Sequence, residues 1–217
     1  MINSKNITVK KSARYFTLGN LSEKTKTVWF VFHGYGQLAN EFIDEFKTLE
    51  NDSTFIVAPE ALNKFYLRGF TGKIGATWMT KEDRENEIHD YVQMINEIFT
   101  TIEQEVDFKN IKINILGFSQ GSHTVVRWLD KYHNKINNLL LWGTSFPRDC
   151  EYKKNSNYWK NIKTKIMIGT EDRFISKEMF EKEKVYLQTQ NLNFKIYNFS
   201  GGHIIDKKLL SQISNEM

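Results

Sequence analysis

The sequence predicts an α/β protein with a mostly parallel central sheet and helices on both faces. Three observations predict it. Short apolar runs rich in valine, isoleucine and phenylalanine alternate with segments whose apolar residues recur at helical spacing. That alternation implies parallel strands, because a crossover helix returns the chain to the same end of the sheet. One such run, Ile111-Lys-Ile-Asn-Ile-Leu116, passes directly into Gly117-x-Ser119-x-Gly121 and then into a helix-periodic segment. No internal repeat, low-complexity stretch or linker divides the 217 residues, so a single domain over 1–217 is expected.

In chain order, Ile7–Lys11 and Ala13–Leu18 have the alternation of a short antiparallel pair. Buried strands are expected at Val28–Phe32, Phe55–Ala58, Ile111–Leu116, Ile136–Trp142, Lys165–Ile168 and Phe194–Phe199. Helices are expected over 39–49, 82–104, 120–133, 176–190 and 205–216. The second is the clearest: Ile88, Tyr91, Val92, Ile95, Ile98, Phe99 and Ile102 form one stripe, with Thr80 and Asp83 as its start signal. Parallel strands place their C-termini along one edge, where sites in such sheets lie.

Composition narrows the function classes. A hydrophobic fraction of 40% with 26% charged residues fits a globular protein, and no apolar run approaches a membrane span. The net charge of +4 is mild, and basic residues are interleaved with acidic ones, which argues against nucleic acid as a partner. Met1–Asn6 has no apolar signal core, so a cytoplasmic location is expected. Cys150 is the only cysteine, which excludes an internal disulfide and a cysteine metal cluster. No metal or cofactor is expected.

The strand–Gly-x-Ser-x-Gly–helix arrangement is what a nucleophile elbow needs: a sharp turn pushes Ser119 out at the sheet edge. A serine hydroxyl also requires a base, a group to orient that base, and donors for the oxyanion formed on acyl transfer. His203, in Ser200-Gly-Gly-His after the last strand, is the candidate base. His89 and His133 fall among charged residues on helices, and His123 lies one turn past Ser119 and points along its helix. Asp172, just past the strand Lys165–Ile168, is the candidate orienting acid, with Glu171 as its neighbouring rival. The loop His33-Gly34-Tyr35-Gly36 follows the strand Val28–Phe32 and suits the oxyanion role, through the backbone N–H groups of Tyr35 and Gln120. The His33 side chain is expected to pair with backbone at the loop base.

The chain resembles α/β-hydrolases, and most of all the phospholipase/carboxylesterase branch that includes acyl-protein thioesterases. The residues that carry the resemblance are His33-Gly34-Tyr35-Gly36, Leu116-Gly-Phe-Ser-Gln-Gly121, Gly169-x-x-Asp172 and Gly202-His203, from residue 27 to near the end. It implies an α/β-hydrolase fold, a triad of Ser119, Asp172 and His203, and oxyanion amides at Tyr35 and Gln120. The chain departs from that branch at Gln37, where an aspartate is frequent. It departs again at Ser122 for a frequent glycine and at Ile175-Ser176 for a frequent valine-proline.

For substrate, the region Lys64–Thr80 carries glycines at 69, 72 and 75 between Phe65, Tyr66, Phe70 and Trp78. It reads either as an adjustable apolar loop for an acyl group or as aromatic packing under a long loop. Phe70, Trp78 and Trp142 are the expected substrate contacts, with Phe146 and Tyr158 on the rim. The stretch between Trp142 and Lys165 is too short for a helical cap domain, so an open site is expected. The function expected is a serine carboxylesterase or thioesterase acting on short-to-medium acyl esters. A lysophospholipase, an acyl-protein thioesterase and a catalytically silent ligand-binding protein of the same fold are the alternatives.

Overall fold

The computed structural model describes residues 2–217. Its strands are β1 (Tyr15–Leu18), β2 (Thr27–Phe32), β3 (Thr54–Pro59), β4 (Asn63–Tyr66), β5 (Ile74–Thr77), β6 (Lys112–Phe118), β7 (Asn138–Trp142), β8 (Lys163–Gly169) and β9 (Phe194–Phe199). The helices are α1 (Ala39–Phe42), continued by a 3₁₀ segment Ile43–Leu49, α2 (Arg84–Glu105), α3 (Gln120–Tyr132), α4 (Ser156–Trp159), α5 (Lys177–Thr189) and α6 (Lys207–Asn215).

Seven strands form one sheet in the order β1-β3-β2-β6-β7-β8-β9, parallel throughout except for β1, which runs antiparallel to β3. The register sets Phe32 beside Gly117, Phe118 beside Trp142, and Gly169 beside Phe199, so the segments that follow these strands emerge along one edge. Alternate side chains of each strand face opposite layers. Phe30, Ile115 and Leu141 pack with the buried stripe of α2, with Val125 and Trp128 of α3, and with Phe180 and Leu187 of α5. Trp29, Val31, Leu116 and Trp142 pack on the other face with Phe42, Phe46, Leu209, Leu210 and Ile213. The first layer is bound by aromatic contacts, with Phe99 lying 5.2 Å from Phe30 and 5.3 Å from Trp128 between ring centroids. Full burial of a side chain of this size stabilises by about 1.5–3 kcal/mol.

Three local expectations are corrected. Ile7–Lys11 form no strand: β1 pairs instead with β3, in the register Tyr15 to Pro59, and residues 2–14 have no ladder. What fixes the end of this segment is the ion pair from Arg14 Nε to the buried Glu60 carboxylate at 2.6 Å. The start signal of α2 is not a Thr80 cap; Asp83 precedes the helix in the left-handed region at φ 47° and caps nothing with its side chain. The 64–80 region is not only loop, since β4 and β5 pair as a hairpin with Asn63 opposite Thr77.

Candidate active site

The junction between β6 and α3 is a strained turn. Ser119 sits at φ 52°, ψ −120°, and its N–H donates to the Trp142 carbonyl at 2.7 Å. The two flanking glycines are steric necessities. A Cβ on Gly121 would stand 2.3 Å from the Phe32 carbonyl oxygen, and one on Gly117 would stand 2.4 Å from Ser122 Cα. Ser122, buried under the turn, donates its hydroxyl to the Gly117 carbonyl at 2.5 Å and accepts from the Trp142 N–H at 3.3 Å. The serine that departs from the family's frequent glycine therefore ties β6 to β7 just below Ser119.

His203 and Asp172 meet across 31 residues of chain. The Thr170 N–H donates to the Phe199 carbonyl and the Glu171 N–H to the Gly201 carbonyl, each at 2.9 Å, which docks the 200–203 loop onto the end of β8. His203 Nδ1 then lies 2.7 Å from Asp172 Oδ2, while Asp172 Oδ1 accepts from the Phe174 N–H at 2.9 Å. Asp172 is buried and Glu171 exposed, so the acid that His203 meets is Asp172. A carboxylate can only accept, which places a proton on Nδ1 and leaves Nε2 as the acceptor. The imidazole rests against Phe118 at 4.8 Å and edge-on to Phe174 at 4.9 Å between centroids. A Cβ on Gly143 would stand 2.8 Å from His203 Cε1. Phe118 precedes Ser119, and Gly143 follows the carbonyl that holds Ser119, so serine, histidine and aspartate share one stretch of the sheet edge.

The loop after β2 is pinned from below. His33, fully buried, donates from Nδ1 to the Gly34 carbonyl at 2.8 Å and accepts the Ala61 N–H on Nε2 at 3.1 Å. Burial pushes its pKa down to about 4. Gln37, at the position of the frequent aspartate, accepts the Gly34 N–H at 2.7 Å through its side chain and pairs with Ala76 through its backbone. The Tyr35 N–H has no hydrogen-bond partner among the described residues. Gln120 opens α3, where no earlier turn supplies a carbonyl for its N–H.

The expected aromatic contacts divide. Trp78 is 1% exposed: its ring stacks on His33 at 4.9 Å and its indole donates to the His33 carbonyl at 2.8 Å. Trp142 is fully buried against Phe199 on the opposite layer. Both rings are buried, so the expected substrate contacts are corrected to supports beneath the site. The Tyr158 hydroxyl is likewise spent on the Asn134 carbonyl. Phe70 stands 92% exposed at the tip of the β4–β5 hairpin, whose Phe65 ring lies 5.1 Å from Tyr35.

Two features escaped the sequence reading. The Gln120 side chain accepts from the Trp78 N–H at 3.1 Å and donates to the Met79 carbonyl at 2.9 Å, anchoring the start of the segment leading to α2. A cleft of about 360 Å³ opens beside His203, lined by His123, Thr144, Phe146, Phe174, Ile175 and Met179 among others. Larger hollows of about 620 and 810 Å³ lie around residues 19–26, 50–52 and 105–111, away from the strand C-termini. Among the described residues no group of three or more His, Cys, Asp or Glu side chains is placed to hold a metal ion. No helix among them is long and apolar enough to cross a membrane.

The sheet order and the elbow at the end of β6 define an α/β-hydrolase. The phospholipase/carboxylesterase family model matches residues 16–217, and the chain belongs to that family. Several solved structures share its fold at low sequence identity. Esterase PE8 superposes with a TM-score of 0.67 at 16% identity, over 94% of this chain and 98% of that one. A carboxylesterase from Bacillus cereus gives 0.65 at 14% identity, over 94% and 92%. Acyl-protein thioesterase 2 from Zea mays gives 0.65 at 14%, over 94% and 97%. No curated protein matches the chain in sequence.

Proposed function

We propose that the protein is a serine hydrolase that cleaves carboxylic esters or thioesters of short-to-medium acyl groups, working as one α/β-hydrolase domain. The observation that carries this reading is the 2.7 Å contact from His203 to Asp172 beside the strained Ser119 turn. His203 Nε2 takes the Ser119 proton as Oγ attacks the acyl carbonyl. The N–H groups of Tyr35 and Gln120 receive the oxyanion. Collapse of that intermediate expels the alcohol or thiol, which takes the proton from His203 and leaves an acyl-Ser119 ester. Water, deprotonated by the same nitrogen, then releases the acid. Asp172 holds the imidazole in the required tautomer throughout. Phe70, exposed at the tip of the β4–β5 hairpin whose Phe65 packs on Tyr35, is the aromatic residue available to meet an apolar substrate group.

A fluorophosphonate probe tests the reading. It should label Ser119 alone, and Ser119→Ala should abolish labelling and lower kcat by about 10⁴–10⁶-fold. His203→Ala should cost nearly as much, and Asp172→Asn less, because the carboxylate orients the base without taking its proton. Turnover that survives Ser119→Ala, or is abolished by EDTA, would overturn the mechanism.

A further inference from the structure

Proceeding from that hydrolase reading, we infer that His123 is a specificity-determining residue that selects esters carrying a neutral hydroxyl group on the portion of substrate lying in the cleft beside His203. His123 follows Ser119 by one turn of α3, a rise of about 5.4 Å, and lines the cleft. The same cleft is lined by Phe174, whose ring touches His203, and by Thr144, the residue after Gly143. The cleft therefore adjoins His203 through Phe174 and the Gly143–Thr144 segment, and a group attached to an ester held between Ser119 and His203 would extend along these residues toward His123.

The chemistry of the cleft favours a hydroxyl over either an alkyl chain or an ion. His123 Nε2 is paired with Thr144 Oγ1 at 3.2 Å, whereas Nδ1 has no partner among the described residues. Nδ1 keeps some solvent exposure, and His123 lines the cleft. Burial and the nearby Arg127 push the His123 pKa down to about 4, leaving the ring neutral near pH 7. Because the Thr144 hydroxyl can donate or accept, the ring can present Nδ1 as either acceptor or donor, which matches a hydroxyl. The charged groups in the cleft cancel each other: Glu183 accepts from Arg148 and from the Ser145 hydroxyl, each at 2.9 Å. No unpaired charge remains among these side chains to recruit an ionic substituent. An alkyl chain laid against Nδ1 would strip its water and offer no bond in return, whereas the apolar walls, Phe146, Ile175 and Met179, accept the carbons beside a hydroxyl.

Two matched substrate pairs test the inference and show which side of the ester enters the cleft. On the acyl side, p-nitrophenyl 3-hydroxybutyrate, as each enantiomer, is compared with p-nitrophenyl butyrate. On the alcohol side, 1-butyrylglycerol is compared with propyl butyrate by acid release. In one pair the hydroxylated ester should have kcat/KM higher by about tenfold, equivalent to roughly 1.4 kcal/mol. His123→Leu should bring that ratio close to one, and His123→Asn, which keeps a polar atom near the Nδ1 position, should restore part of it. A wild-type ratio near one in both pairs overturns the inference while the hydrolase reading stands. So does a preference that persists in a folded His123→Leu protein. Absence of turnover on all four ester types overturns the hydrolase reading, and this inference with it.

Discussion

Replacing Ser119 by glycine should make the protein more stable than replacing it by alanine, although both changes remove the proposed nucleophile. At φ 52°, ψ −120°, Ser119 occupies backbone space that a Cβ makes unfavourable. The other non-glycine residues at positive φ, Asp83, His133 and Asn191, are of types that tolerate the left-handed region, and Asp83 and His133 have ψ of 36° there. Strain of this kind costs about 1–3 kcal/mol. Alanine retains the Cβ and hence the strain. Glycine releases it and gives back about 0.4–1 kcal/mol through the greater freedom of the unfolded chain. The difference left in favour of glycine is roughly 0.5–2 kcal/mol, or about 1–8 °C in Tm for a chain of this size. Urea unfolding of the two variants side by side measures it, with equal slopes showing that the same surface is exposed. Because both variants remove the proposed nucleophile, catalysis should not enter the comparison. A glycine variant no more stable than the alanine variant would refute the claim that the serine is held under strain.

Two further outcomes concern the supports of the site. His33 is held near pKa 4 when folded and has the ordinary value of 6.5 when unfolded, so below pH 6.5 the unfolded chain binds a proton that the folded chain refuses. Its contribution is complete above pH 6.5 and is lost as pH falls toward 4, by about 1.4 kcal/mol per pH unit. Urea midpoints between pH 7 and 4.5 should fall more steeply for the wild type than for His33→Gln, and parallel profiles would contradict this. Gly121→Ala should drive the end of β2 away from Ser119, since the new methyl meets the Phe32 carbonyl at 2.3 Å. Turnover should drop by about 10²-fold while labelling of Ser119 slows in step, and unimpaired kcat/KM would show that the elbow is not so tightly fitted.

The elements that could be read from sequence were those whose pattern is local. The stripe on α2, the apolar runs of β2 and β6, and the glycine-serine turn each declare themselves within a dozen residues. The pairing of His203 with Asp172 was also within reach of the sequence, because each follows a strand C-terminus in a short glycine-bearing segment. Errors arose where a distant partner decides. Ile7–Lys11 alternates as a strand does, yet the free edge of β3 is taken by Tyr15–Leu18. His123 was read as pointing along its helix, and only the placement of Thr144, 21 residues on, gives its ring a partner and a cleft.

The misread tryptophans show how the site holds its strained turn. An aromatic residue in a glycine-rich segment at an active edge looks like a substrate contact, but Trp78 lies beneath the His33 loop and touches Tyr91 and Phe32. Its indole N–H and its backbone N–H are both engaged, one by the His33 carbonyl and one by Gln120. One residue thereby links the proposed oxyanion loop after β2 to the helix that begins beside Ser119. Trp142 works from the other layer. Its carbonyl receives the Ser119 N–H and its own N–H is received by Ser122, while its indole N–H is buried with no partner. Leaving that donor unpaired costs about 1–3 kcal/mol, comparable to the strain at Ser119. Full burial of two such rings contributes more than either cost, at about 1.5–3 kcal/mol or above for each large apolar side chain. Ser119 can therefore sit in an unfavourable conformation because packing beneath it is what these two buried tryptophans supply.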